Sequence, residues 1–133
     1  MILVDSSVWI DFFNGADTAE TQFLSESLGL RPVAMGDLML AEVLQGFRKD
    51  KDFSTALELF ETVTTLDLAG RAVAIQSAKN FRKLRAKGFT VRKTIDCVIA
   101  TYCIEHQLPL LQADRDFEPF HEHLGLQRAF QST

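Results

Sequence analysis

Short apolar or β-branched runs alternate with longer helix-patterned stretches along this chain, and that alternation limits the fold more than any other feature. The short runs are Ile2–Val4, Pro32–Met35, Val63–Leu66 and Leu108–Leu111, the last interrupted at Pro109. Helical spacing occupies Ser7–Phe13, Thr18–Leu28, Asp37–Phe47, Phe53–Glu61, Ala69–Lys87, Thr94–His106 and residues 116–124. Asn14-Gly15 should stop the first helix and Gly88 the fifth. Within Ala69–Lys87, the spacing of Ile75, Ala78, Phe81 and Leu84 predicts one buried face. Leu126–Phe130 is expected as a last strand. Strands alternating with helices predict an α/β fold whose parallel sheet is covered on both faces. Strands buried on both faces read as apolar runs, as these do. Ligands of such sheets bind outside the carboxyl ends of the strands.

The 133 residues suffice for one domain, expected to span 1–133. No apolar run nears the ~20 residues that cross a bilayer, so no membrane association is expected. The N-terminus has no basic region before its apolar stretch, so no secretory signal is expected and the cytoplasm is the expected location. Cys97 and Cys103, six apart, would point roughly 240° from one another on a helix and are read as free buried thiols. His121 and His123, two apart, do not share a helical face and suggest no zinc site.

Charge is unevenly distributed. Residues 71–93 hold Arg71, Lys79, Arg82, Lys83, Arg85, Lys87, Arg92 and Lys93 and no acid. That segment carries +8, so the remaining chain must carry −12 to give the −4 of the whole. Lys79, Arg82, Lys83 and Lys87 share one helical face, and Arg92 and Lys93 precede the next helix. Such a face is either solvated or a track for a nucleic-acid backbone. Trp9, Phe12, Phe13, Phe47, Phe89 and Tyr102 are candidates to stack on splayed bases.

Five acids stand out by context. Asp5 follows the first strand in MILVDSSVWIDFF, and Asp114 and Asp116 follow the apolar run in LPLLQADRDF. Glu42 lies in a largely apolar helix, either on a narrow solvent stripe with Gln45 or facing a polar cleft. Asp96 sits among Ile95, Val98 and Ile99, two residues past Thr94, a possible N-cap. Each acid alone has an ordinary explanation, for Asp5 and Asp114 as helix N-caps. Together, two strands that end in acid and two helices with acid among apolar residues predict a shared site. Carboxylates brought together repel unless a cation is bound, and hard oxygen donors suit Mg²⁺ or Mn²⁺. Such an ion activates water and supports in-line phosphoryl displacement. Ser6 and Ser7 could add hydroxyl ligands or position water, or serve only packing and capping.

The order VDSSVWID, LAEVLQG, TIDCVIATYC and LLQADRDF resembles the PIN-domain nucleases, above all the VapC toxins of bacterial toxin–antitoxin pairs. The resemblance spans nearly the whole chain. It implies a three-layer α/β/α sandwich with a central parallel sheet and a metal-dependent endoribonuclease, with transfer or ribosomal RNA as substrate. By position it implies an acidic core of Asp5, Glu42, Asp96 and Asp114 that binds one or two divalent ions, with Asp5, Asp96 and Asp114 among the metal ligands. Asp116 becomes an additional or water-mediated ligand. Ser6-Ser7 stands where many relatives carry threonine or asparagine. The resemblance also implies a homodimer and a cognate antitoxin. Such an antitoxin lays a helix in an apolar groove and directs a basic side chain into the acids.

Two other readings compete. A phosphatase of the haloacid-dehalogenase kind wants a second Asp two residues after the first, where this chain has Ser7. A receiver-like or RNA-holding module without catalysis is the other. The receiver form wants a lysine after the last strand, and residues 112–116 offer none.

Overall fold

The computed structural model describes residues 1–131. Four short strands, β1 (Ile2–Val4), β2 (Val33–Gly36), β3 (Thr64–Leu66) and β4 (Leu110–Leu111), form one parallel sheet in the order β3-β2-β1-β4. The helices are α1 (Ser6–Phe13), α2 (Ala19–Ser27), α3 (Asp37–Gln45), α4 (Asp50–Phe60), α5 (Arg71–Ala86), α6 (Thr94–Glu105) and α7 (Glu118–His123). A 3₁₀ turn, Arg115–Phe117, precedes α7. With helices on both faces of the parallel sheet, the fold is the expected three-layer α/β/α sandwich.

β1 is central, and Leu3 and Val4 are fully buried with Ala34, Met35, Leu110 and Leu111 around them. Strand order reverses at β1: the chain moves outward through β2 and β3, then returns to the other side of β1 as β4. A crevice therefore opens at the carboxyl ends of β1 and β4, where such sheets hold ligands. α1 and α3 start directly after β1 and β2, so their first turns lie at that edge. α6 descends from the same edge to feed β4.

Two strand expectations need correction. β4 starts at Leu110 rather than Leu108, because Pro109 has no N–H for the ladder. The Pro109 carbonyl still accepts from Leu3 N–H at 2.9 Å. Leu126–Phe130 is not a strand but a single parallel bridge between Leu110 and Arg128. Its backbone bonds to β4 are two, Leu110 N–H to Gln127 O and Ala129 N–H to Leu110 O.

Helix α5 ends as expected, in a Schellman motif with Gly88 at φ +93°. Gly88 N–H donates to Arg85 O at 3.0 Å and Phe89 N–H to Leu84 O at 2.9 Å. Its buried face, however, is Ser77, Asn80 and Leu84; Ala78 is exposed and Ile75 is 44 % exposed. Polar contacts to α6 decide this rotation. Asn80 Nδ2 donates to Thr101 Oγ1 at 3.0 Å, and the Cys97 thiol to Ser77 O at 3.2 Å. These two pairs also set α5 and α6 side by side and parallel, so residues 88–93 return along them to the acid edge. Cys97 and Cys103 are free and buried, as expected, and burial pushes the Cys103 thiol up.

Candidate active site

Asp5 is the N-cap of α1: its Oδ2 accepts from Ser7 N–H at 3.0 Å and from Ser7 Oγ–H at 2.6 Å. Ser7 Oγ in turn accepts from Ala113 N–H at 3.0 Å. One hydroxyl thus ties the end of β1 to the loop after β4. Asp5 is only 5 % exposed, and burial raises its pKa. The Ser7 hydrogen bonds oppose that rise, and the nearby charge of Glu42 adds to it.

Glu42, in the second turn of α3, is half-buried, while Gln45 is exposed. Ser6 Oγ–H donates to its Oε1 at 3.1 Å. Both serines therefore hold carboxylates.

Asp96 lies in the first turn of α6. Thr94 is the first helical residue, and the N-cap is Lys93, which makes no side-chain cap bond. Asp96 is 6 % exposed, and its Oδ2 is buried with no hydrogen-bond partner. Its pKa is pushed up to about 6, first by burial and then by the charge of Asp5, with Lys93 opposing. Asp114 caps the 3₁₀ turn, its Oδ1 accepting from Asp116 N–H at 2.9 Å.

One carboxylate oxygen each from Asp96, Asp114 and Asp116 lies within 4.8 Å of the others. Among the described residues this is the one group of three or more acidic, histidine or cysteine side chains so arranged. Asp5 and Glu42 stand outside that trio but within electrostatic reach of Asp96. The donors are hard oxygens, and a buried carboxylate oxygen left unpaired is costly. A divalent cation resolves both the orphaned Oδ2 and the mutual repulsion, so the residues fit Mg²⁺ or Mn²⁺.

The basic residues divide. Lys93 reaches the acids electrostatically. Lys79, Arg82 and Lys83 line an exposed depression on α5, and Lys87 lies at the end of α5 remote from the acids. Trp9 is not available for base stacking. It is fully buried, edge-on to Phe12 and Phe60 at 6.1 and 5.0 Å between ring centroids. Tyr102 stacks on His106 at 4.0 Å and Phe89 lies 5.0 Å from His123. The histidines stay out of the acid site; His121 Nδ1 is 2.9 Å from Leu126 O. Reading by sequence missed Gln112, whose Oε1 accepts from Asp114 N–H at 2.6 Å. No local pattern marks it, because its role depends on the turn that follows β4.

A PIN-domain family model matches residues 2–121. Ribonuclease VapC11 of Mycobacterium tuberculosis is 29 % identical over 133 residues, covering 97 % of this chain and 98 % of that protein. Two solved structures share the fold. VapBC2 from Rickettsia felis, bound to a promoter DNA fragment, has a TM-score of 0.74 at 17 % identity, covering 99 % of this chain and 100 % of that one. A toxin–antitoxin complex from Klebsiella pneumoniae has a TM-score of 0.71 at 19 % identity, with the same coverage.

Proposed function

Since this chain belongs to the PIN-domain family, we propose that it is a metal-dependent endoribonuclease toxin, a single nuclease domain over residues 1–133, silenced by a cognate antitoxin. The observation that carries this reading is the convergence of Asp96, Asp114 and Asp116 around the unpartnered Oδ2 of Asp96. Similarity over nearly full length to a protein named as a ribonuclease supports the activity. Similarity to toxin–antitoxin complexes supports the partner.

Asp96, Asp114 and Asp116 would hold a Mg²⁺ or Mn²⁺ ion, and Asp5 and Glu42 complete the acidic core. A bound divalent ion supplies an acidified water and neutralises charge at the scissile phosphate. Ser7 holds Asp5 and Ser6 holds Glu42, so both acids stay aimed at the crevice. Arg92 and Lys93 seat the phosphates next to the acids, and Lys79, Arg82, Lys83 and Lys87 extend the electrostatic track. Transfer or ribosomal RNA in the cytoplasm is the proposed substrate. Among the described residues no helix is long and apolar enough to cross a membrane.

The antitoxin has a fitting surface. Ile10, Phe13, Val43 and Phe47 line a largely apolar groove between α1 and α3 that Glu42 also lines. A helix laid there can direct an Arg or Lys at the acids. A second copy of the chain, completing a homodimer, is supported by the apolar strip of Ala74, Ala78, Phe81 and Val98 between α5 and α6.

The test is incubation of the antitoxin-free chain with total bacterial RNA and Mg²⁺, Mn²⁺ or EDTA, followed by mapping of new RNA ends. Discrete metal-dependent ends, lost in Asp96→Asn, are expected. Identical ends with EDTA, or from Asp96→Asn, would overturn the metal site.

A further inference from the structure

Two of the three convergent carboxylates, Asp114 and Asp116, sit on the turn after β4, which has no long helix or strand to hold it. Its order rests on individual hydrogen bonds. Ala113 N–H is taken by Ser7, Asp116 N–H by Asp114, and Asp114 N–H by the side chain of Gln112. Gln112 therefore holds the backbone of Asp114, one of the three convergent acids.

The orientation of the Gln112 amide is determined by what surrounds it. On one side, Asp114 N–H is a donor, 2.6 Å from Oε1. On the other, Nε2 faces Glu118 Oε1 at 3.4 Å and His121 Nε2 at 3.5 Å. The carbonyl of Leu126, 2.9 Å from His121 Nδ1, puts the proton of a neutral imidazole on Nδ1 and leaves Nε2 as an acceptor. A flipped amide would set NH₂ against an N–H and oxygen against a carboxylate and a ring lone pair. Glu118 is itself held by a bidentate ion pair, Arg128 Nη1 to Oε1 at 2.9 Å and Nη2 to Oε2 at 2.5 Å. Arg128 is the residue bridged to Leu110 in β4. A continuous brace thus runs from the sheet edge through Arg128, Glu118 and Gln112 to Asp114.

We propose that Gln112 is a positioning residue for the acid loop and that the Glu118–Arg128 pair acts through it. The inference rests on the metal-site reading given above. Partners of this kind, one bond removed from ligands, change metal affinity by roughly 10–100-fold when removed.

The experiment uses the full chain, free of antitoxin, with Gln112→Met (similar volume, no acceptor) and Gln112→Ala, each alone and combined with Glu118→Ala. Mn²⁺ binding is followed by the electron paramagnetic resonance of the free ion, and amide exchange at Asp114 by NMR in metal-free protein. Removing the side-chain amide should weaken Mn²⁺ binding about tenfold, at the low end of that range. It should speed Asp114 exchange and leave the metal-free Tm in place, and raised Mn²⁺ should restore cleavage with the KM for RNA unchanged. Glu118→Ala should weaken Mn²⁺ binding in the parent but add nothing in the Gln112 variants. Unaltered Asp114 exchange and Mn²⁺ affinity in both Gln112 variants overturn this inference and leave the metal site standing. Failure of the unsubstituted chain to bind Mn²⁺ overturns the metal site instead, and the positioning role with it.

Discussion

Asp5 and Asp114 begin as the same device and end differently. Each follows an apolar strand, each caps the turn after it, and each accepts from the backbone N–H two residues on. Asp5 leaves the central strand, so the sheet and α1 close over it and it is almost wholly buried. Asp114 leaves the edge strand β4, stays half-exposed, and meets Asp96 and Asp116. Capping therefore leaves room for a ligand role. One carboxylate oxygen of a cap is spent on the backbone and the other is free to serve the crevice. Neighbouring strands decide how much water reaches it.

The sharpest way to break the comparison is to neutralise each acid in turn. Asp114→Asn should lower cleavage by at least about a thousandfold, equivalent to roughly 4 kcal/mol of transition-state stabilisation. It should also abolish Mn²⁺ binding. Asp5→Asn, outside the trio, should lose cleavage too but retain measurable Mn²⁺ affinity. Titration of both variants decides, and equal Mn²⁺ affinities would contradict the trio as the primary site.

Ser7 joins the two regions, so removing its hydroxyl should loosen both. Ser7→Ala strips Asp5 of one donor and leaves Ala113 N–H without its acceptor. The expected loss is about 1–3 kcal/mol, read by denaturant unfolding. A loss near zero would mean that the tie carries no load.

Protonation gives the smallest effect and separates the acids by burial. Asp96 is raised to about 6 and Asp5 is raised as well. A raised carboxyl pKa favours the protonated form in the folded chain. That contribution is complete below the ordinary carboxylate range near 4 and is lost as pH rises through about 6. The metal-free Tm should therefore fall between pH 5 and pH 8. Mn²⁺ should reverse the trend, raising Tm more at pH 8 than at pH 5, because protons compete for Asp96. Asp96→Asn should shrink the metal-free trend to the part that Asp5 contributes and remove the Mn²⁺ effect, both read in thermal melts.

Much of the framework was legible beforehand because it is local. Apolar runs and helical periods marked the elements of the sheet and its cover, and Gly88 marked the end of α5 through its left-handed backbone. The acids were recognisable as carboxylates in places where burial is expensive. Apolar period does not predict the face of α5, because a seam of Ser77, Asn80, Cys97 and Thr101 is settled by hydrogen bonds between helices. Trp9, a stacking candidate by residue type, belongs to the core, because Phe60 of the distant helix α4 closes on it.

By itself, then, the sequence determined the parallel α/β sandwich, the strand-end acids, the strongly charged stretch and the resemblance to PIN nucleases, because those depend on spacing and residue type. Tertiary structure alone decided that Asp96, Asp114 and Asp116 are the acids that meet, that Ser7 ties Asp5 to the loop after β4, and that Glu118 and Arg128 brace Gln112. The reason is topological. β4 returns to the far side of β1, which sets Ala113 against Ser7, 106 positions away, and the turn of Asp114 and Asp116 against the first turn of α6, and no local pattern encodes that placement.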